Sequence, residues 1–158
     1  MIVGEKSQFA IDYEFTEGER YGKITLWIGG IALAGDDLDY VSYFSEKWWV
    51  VLEPHEFLNF QYADLSPLEI INRVLYLLSE KSNTSQDYLV KCSGGFDKCF
   101  LVCFIEGGKV YFVWTKDSNL DELNESRVFM ASLRFADYRN TLLGFGQQLP
   151  FVKFPTPI

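Results

Sequence analysis

A pair of glycines between two strand-like runs constrains the fold more than any other feature of this sequence. Gly107-Gly108 separates the apolar runs 100–105 and 110–114. A two-residue turn of this kind needs positive φ angles, which glycine adopts freely. The turn fixes the register, so Phe104 is predicted to face Tyr111. Both faces of the hairpin are apolar, which predicts a central strand pair that is covered on both faces, or covered on one and offered to a partner on the other.

A second pair of glycines predicts a similar hairpin near the start of the chain. Gly29-Gly30 lies between the apolar-patterned runs 23–28 and 31–33. Residues 9–15 alternate apolar and polar side chains, the pattern of a half-buried strand. Residues 127–133 alternate less regularly and are predicted to form one more strand.

Three helices are predicted from spacing and capping signals. Residues 38–52 carry apolar side chains at helical spacing after a group of aspartates, although the run 48–52 would also suit a strand. Residues 66–80 begin with Ser-Pro-Leu-Glu, which combines a capping box with proline at the first helical position. Residues 135–147 show helical spacing that two glycines interrupt.

These elements together predict an α+β fold in a single domain that spans residues 1–158. We expect a mainly antiparallel sheet of about six strands with Gly-Gly hairpins, packed with about three helices. The composition is 48% hydrophobic and 17% aromatic, which is too apolar for a disordered chain. A chain of 158 residues is also long enough to bury a core without disulfides or metals.

The charge balance limits the classes of partner. The formal net charge is −8, which argues against nucleic acid and anionic membrane surfaces and favours a basic protein. The apolar runs are far shorter than the roughly 20 residues that span a bilayer. The first residues lack the basic start and apolar core of a signal peptide. We therefore expect a cytoplasmic protein.

The sequence offers no positive argument for an enzyme. It holds three cysteines and one histidine, without metal-site spacing, and it lacks the phosphate-binding and hydrolase glycine motifs. We expect no catalytic residue, no metal and no cofactor. Two alternatives stay open at this point. One is a small cysteine-dependent hydrolase or transferase whose nucleophile is Cys99 or Cys103. The other is a structural subunit that buries its aromatic face in a homo-oligomer, although a monomer is favoured.

Acidic side chains gather in the segments that follow the two Gly-Gly hairpins. If these segments lie on one side of the molecule, they form an acidic patch that attracts a basic protein; otherwise they are separate solvated loops. The candidate partner-binding residues are Asp36, Asp37, Asp39, Asp117, Asp121, Glu122 and Glu125. The candidate aromatic anchors are Tyr40, Tyr43, Trp48, Trp49 and Trp114.

Three stretches near the start of the chain carry a family resemblance: Met1-Ile2-Val3-Gly4, Phe9-Ala10-Ile11-Asp12-Tyr13-Glu14 and Trp27-Ile28-Gly29-Gly30. They resemble the opening of one of the immunity-protein families of bacterial polymorphic toxin and contact-dependent growth-inhibition systems. The resemblance implies a small cytosolic protein, here one immunity-like domain over 1–158, that binds the toxic domain of a sibling cell's effector. Such toxins are often nucleases with basic substrate-binding surfaces. The expected function is therefore to bind a basic toxin, a nuclease, and to block its active site.

Overall fold

Two antiparallel sheets and two helices are present in the part of the chain that the computed structural model describes. That part comprises residues 1–14, 21–33, 39–40, 62–80, 99–117 and 119–148. The α+β class predicted from the sequence is confirmed. The predicted strand at residues 9–15 is also confirmed, up to Glu14.

The first sheet contains β1 (Ile2–Glu5), β2 (Phe9–Glu14), β3 (Tyr21–Ile28), β4 (Ile31–Leu33) and β5 (Asp39–Tyr40). The strands follow the order β1-β2-β3-β4, and β5 pairs with β3 as well. The predicted hairpin at Gly29-Gly30 is confirmed, with Leu26 opposite Leu33. The apolar side chains of β2 and β3 that share one face are fully buried, because this face lies on the core.

The second sheet contains β6 (Phe100–Glu106), β7 (Lys109–Thr115) and β8 (Phe129–Arg134), in that order. Gly107 and Gly108 have φ angles of 56° and 74°, as the two-residue turn requires. The predicted register is confirmed from the turn to the pair of Phe100 with Thr115. Strand β8 begins two residues later than predicted, because residues 125–127 form a short 3-10 turn.

Two of the three predicted helices lie in the described residues, and both are confirmed: α1 (Pro67–Ser79) and α2 (Phe135–Gln147). The capping box forms as predicted at the start of α1. The Ser66 hydroxyl accepts a hydrogen bond from the backbone N–H of Glu69 at 3.3 Å, and the Glu69 carboxylate accepts one from the backbone N–H of Ser66 at 2.8 Å.

The helix predicted over 38–52 is wrong at its start. Asp39 and Tyr40 form β5 and pair with Gly22 and Tyr21. Strand β3 is longer than β4, so its far end offers backbone groups that β5 satisfies. This pairing outweighs the capping signal of the aspartates. Residues 41–52 lie outside the described residues.

The second sheet is covered by apolar side chains on both faces. On one face, Phe112 packs between the sheets with Phe9 of β2 and Tyr138 of α2, at ring-centroid distances of 5.5 Å from Phe9 and 5.7 Å from Tyr138. On the other face, Phe104 packs in a second cluster beneath α1 and is 2% exposed. The predicted strand pair is therefore covered on both faces within one chain, although β6 lies at the edge of the three described strands and only β7 is central.

The strands divide into two sheets, whereas the sequence predicted one mainly antiparallel sheet. Hairpin signals define only local pairs, and the neighbour of each pair depends on contacts that are distant in sequence. The faces of the two sheets meet in the first core cluster, where Phe9 and Phe112 stack almost parallel, at an interplanar angle of 10°. In such face-to-face packing the side chains of the two inner faces form one shared core.

Strand β1 is an element that the sequence analysis missed. It pairs with β2 through a turn over residues 6–8, and it is only four residues long without alternation. Gly4 has a φ angle of 95° here, and a Cβ at this position would collide with the carbonyl oxygen of Phe9. Glycine is therefore required at this position of β1.

The aromatic contact between the sheets should dominate stability. We expect Phe112→Ala to lower the free energy of unfolding by about 3–5 kcal/mol, because it removes a fully buried ring from the shared core. Tyr76→Ala is the matched control, since Tyr76 is 55% exposed, and it should change stability by less than about 0.5 kcal/mol. Urea unfolding followed by tryptophan fluorescence measures both. If both variants lose the same free energy of unfolding, the contact of Phe112 between the sheets is not a main source of stability.

Candidate functional site

The acidic segment between β7 and β8 leaves the second sheet at one end of the β7–β8 ladder. It forms short 3-10 turns over Leu120–Glu122 and Glu125–Arg127. Between them Leu123 packs against the cluster beneath α1, which ties the segment to the sheet. The side chains that point outward include three of the predicted binding residues, Asp121, Glu122 and Glu125.

Asp117, the fourth predicted residue of this segment, holds the segment in shape. Its carboxylate accepts hydrogen bonds from the backbone N–H of Asn119 at 3.1 Å and from Nη1 of Arg127 at 2.6 Å. These bonds lower the pKa of Asp117, with the bond from Asn119 the largest cause. The guanidinium offsets the charge of this carboxylate, so Asp117 attracts a basic partner less than its exposed neighbours do.

A lysine joins the acidic segment to the first sheet. Nζ of Lys116 donates a hydrogen bond at 3.0 Å to the backbone carbonyl of Ala32 in β4. The second acidic segment begins directly after β4, at residue 34. The start of the acidic segment after β7 is therefore held against β4 by a hydrogen bond.

The remaining predicted acidic residues are described only in part. Asp39 belongs to β5, and only its backbone is described. Asp36 and Asp37 lie outside the described residues. Residues 34–39 contain three carboxylates and no basic side chain. Whether they add to the same surface stays a prediction.

The prediction of Trp114 as an interface anchor is wrong. Trp114 is 1% exposed and belongs to the core between the sheets, because its position on β7 points to that face. The backbone of Tyr40 belongs to β5, and its side chain is not described. Tyr43, Trp48 and Trp49 lie outside the described residues.

Phe129 is the exposed aromatic residue that the sequence analysis missed at this end of the sheet. It lies opposite Trp114 in the β7–β8 ladder and is 40% exposed. Its ring stacks on the indole at a centroid distance of 5.8 Å. The sequence offered one indication of this exposure. Phe129 is the first residue of β8 and follows the acidic segment, and the end of a strand is a place where a sheet face reaches solvent.

The sequence profile of the Immunity protein 42 family matches residues 1–147. This chain belongs to the Immunity protein 42 family. The family resemblance inferred from the first residues is thereby confirmed, and it extends over nearly the whole chain. Immunity proteins of this kind are non-enzymatic inhibitors of toxins.

A solved structure supports the fold of this immunity protein. The chain is similar to CdiI from Burkholderia dolosa, with a TM-score of 0.71 and 11% sequence identity. The similarity covers 94% of this chain and 99% of that chain. No curated protein matches the sequence.

The thiols of this immunity protein are poor nucleophiles. Cys99 is half-buried and Cys103 is buried, and burial raises the pKa of Cys99 to about 11 and the pKa of Cys103 further still. Cys103 points into the core between the sheets. The cysteine-dependent enzyme that the sequence left open is therefore wrong, in agreement with membership of a non-enzymatic family.

Within residues 1–14, 21–33, 39–40, 62–80, 99–117 and 119–148, no three His, Cys, Asp or Glu side chains form a group that could hold a metal ion. In the same part of the chain, neither helix is long and apolar enough to cross a bilayer.

Thiol labelling checks the burial of the cysteines. We expect a Cys92→Ser variant, which leaves only Cys99 and Cys103, to react with a thiol reagent at pH 7.5 far more slowly when folded than in guanidinium chloride. The physical reason is that the raised pKa values leave almost no thiolate in the folded state. Fast labelling of the folded variant would contradict this result and reopen the question of a reactive cysteine.

The contacts of the Asp117 carboxylate with Asn119 and Arg127 should make the free energy of unfolding depend on pH. The folded-state pKa of Asp117 is lowered, so its contribution is fully present above the ordinary carboxyl pKa of 3.8 and is lost as the pH falls through the folded value. We expect Asp117→Asn to be less stable than the wild type at pH 7, with the difference shrinking below about pH 4. Thermal unfolding at both pH values measures this. A difference that does not change with pH would show that the charge of Asp117 is not involved.

Proposed function

We propose that this immunity protein works in the cytoplasm, where it binds and neutralises the toxic domain of a polymorphic-toxin or contact-dependent growth-inhibition effector. The observation that carries the proposal is the match to the Immunity protein 42 family over residues 1–147. The similarity of its fold to CdiI from Burkholderia dolosa supports the same reading.

The partner we propose is a basic toxin, and specifically a nuclease. A nuclease binds a polyanion, and such enzymes present concentrated Lys and Arg to phosphates. The net charge of −8 and the exposed carboxylates of the segment between β7 and β8 are complementary to such a surface. Complementary charge speeds association and helps to exclude wrong partners.

Inhibition by occlusion of the active site follows from the same charges. An acidic protein surface and a nucleic acid compete for one basic groove, so only one of them binds at a time. An immunity protein must also bind tightly, because a small free fraction of a lethal enzyme is still harmful. Tight interfaces combine buried aromatic or arginine anchors with complementary charge around them.

We propose that the immunity protein acts as a monomer and not as a structural subunit. The alternative of a structural subunit required an aromatic sheet face that is free to pack against another copy. The face that carries Phe104 and Tyr111 is instead covered within the chain, where Tyr62 lies with its ring centroid 5.6 Å from that of Phe104. The molecular mass in solution distinguishes a monomer from a homo-oligomeric structural subunit.

Charge reversal tests the role of the acidic segment. We expect a triple variant, Asp121→Lys, Glu122→Lys and Glu125→Lys, to associate with the toxic domain encoded by the gene directly upstream at least about tenfold more slowly at low salt. Asp117 is kept, because it holds the segment together through Arg127. The difference from wild type should become small at high salt, since exposed charges are then screened. Stopped-flow association at several salt concentrations measures this.

The matched control carries the same change in net charge elsewhere on the surface. Glu5, Glu14 and Glu80 are exposed and belong to the first sheet or to the end of α1. Reversal of these three residues should slow association much less. If both triple variants slow association equally, net charge alone matters and the acidic segment is not the binding surface.

Co-expression and competition decide the remaining points. Wild-type protein should co-purify with the toxic domain and restore growth of cells that produce it; failure of both would overturn the proposal.

With purified proteins, raising the nucleic-acid substrate concentration should relieve inhibition if the active site is occluded. Inhibition that is independent of substrate concentration would indicate binding away from the active site.

A further inference from the structure

We propose that the exposed part of the Phe129 ring receives an arginine or lysine side chain of the toxin and acts as an aromatic anchor of the toxin-binding surface. The inference rests on the proposed function and specifies the chemistry of the contact. It makes Phe129, and not the buried Trp114, the aromatic anchor at this end of the second sheet.

The position of the Phe129 ring is fixed by the core beneath it. Trp114 is buried among the core side chains between the sheets. The Phe129 ring lies at an interplanar angle of 23° to the indole, with its centroid 5.8 Å from that of the indole, and the side chain is 40% exposed. Phe129 also pairs with Trp114 in the β7–β8 ladder. A side chain held in this way loses little freedom when a partner binds.

The surroundings of Phe129 favour a cation over an apolar group. Two residues before it, the Arg127 guanidinium forms an ion pair with the Asp117 carboxylate. Residues 116–127 contain four acidic and two basic side chains, and the Arg127 guanidinium is already paired with Asp117. Exposed carboxylates on this segment therefore lie close in sequence to a partly exposed aromatic ring. A ring face is itself attractive to cations through its quadrupole.

The ring and the carboxylates act on the same ligand group in different ways. The carboxylates raise the local concentration of basic side chains and steer the encounter over a distance of about a Debye length. The ring face makes a short-range contact that gains strength when water is excluded. Loss of the ring should therefore speed dissociation, whereas loss of the carboxylates should slow association.

The test uses two substitutions of Phe129 and one control. Phe129→Leu keeps an apolar side chain over Trp114 but removes the ring face, and Phe129→Ala removes both. Tyr76→Ala is the matched control, because Tyr76 is also an exposed aromatic residue but lies on α1. Binding to the purified toxic domain encoded directly upstream is measured by calorimetry and by dissociation kinetics at 150 mM NaCl. Thermal unfolding confirms that each variant is folded.

We expect Phe129→Leu to weaken binding about tenfold and Phe129→Ala about thirtyfold, mainly through faster dissociation. Tyr76→Ala should stay within about twofold of the wild type. If Phe129→Ala binds with wild-type affinity, Phe129 is not an anchor of the interface. If Phe129→Leu binds with wild-type affinity, the ring does not contact a cation of the toxin. If the wild-type protein itself does not bind the toxic domain, the proposed function fails, and this inference fails with it.

Discussion

The burial of both faces of β7 is the constraint on which the described structure depends. Successive side chains of a strand point in opposite directions, so Phe112 enters the core between the sheets and Val113 enters the core beneath α1. A shift of one residue would send each side chain to the wrong core. The Gly107-Gly108 turn excludes that shift, because it fixes the residue opposite each position of β7. A local turn thus determines the assembly of two distant clusters.

The surface that we assign to the toxin includes the segment between β7 and β8, which is held to the second sheet by its own contacts. Three contacts hold its backbone: the pair of Asp117 with Arg127, the Asn124 side chain that accepts from the N–H of Ser126 at 3.1 Å, and the inward packing of Leu123. The bond from Lys116 to Ala32 connects the same surface to the first sheet. Charges held in a fixed arrangement steer a partner into one orientation, and mobile charges would not.

The parts of the fold that were predictable are those that short-range physics determines. The register of both Gly-Gly hairpins and the capping box at Ser66 depend on residues a few positions apart. The division into two sheets and the strand at Asp39–Tyr40 depend on distant contacts that no local pattern encodes.

The candidate site shows the same division between local and distant information. The exposure of Asp121, Glu122 and Glu125 could be inferred from a polar segment without apolar periodicity. The pairing of Asp117 with Arg127 could not, because it depends on the turn that brings these two residues together. The place of Phe129 on the surface depends in the same way on which strand end reaches solvent. Sequence reasoning therefore found the exposed carboxylates of the segment between β7 and β8, but it did not distinguish the buried Trp114 from the exposed Phe129.

The packing of Phe9 has a consequence for the order in which the molecule assembles during synthesis. Its ring is covered by Phe112 and by Tyr138 of the last described helix, while Tyr13 is covered by Phe145. The first sheet therefore emerges from the ribosome long before the side chains that cover its apolar face. A nascent chain with such a face exposed is prone to aggregate and is a natural client for chaperones. The contacts that complete the core join β2 to the last described helix, so the core between the sheets is complete only after this helix has docked.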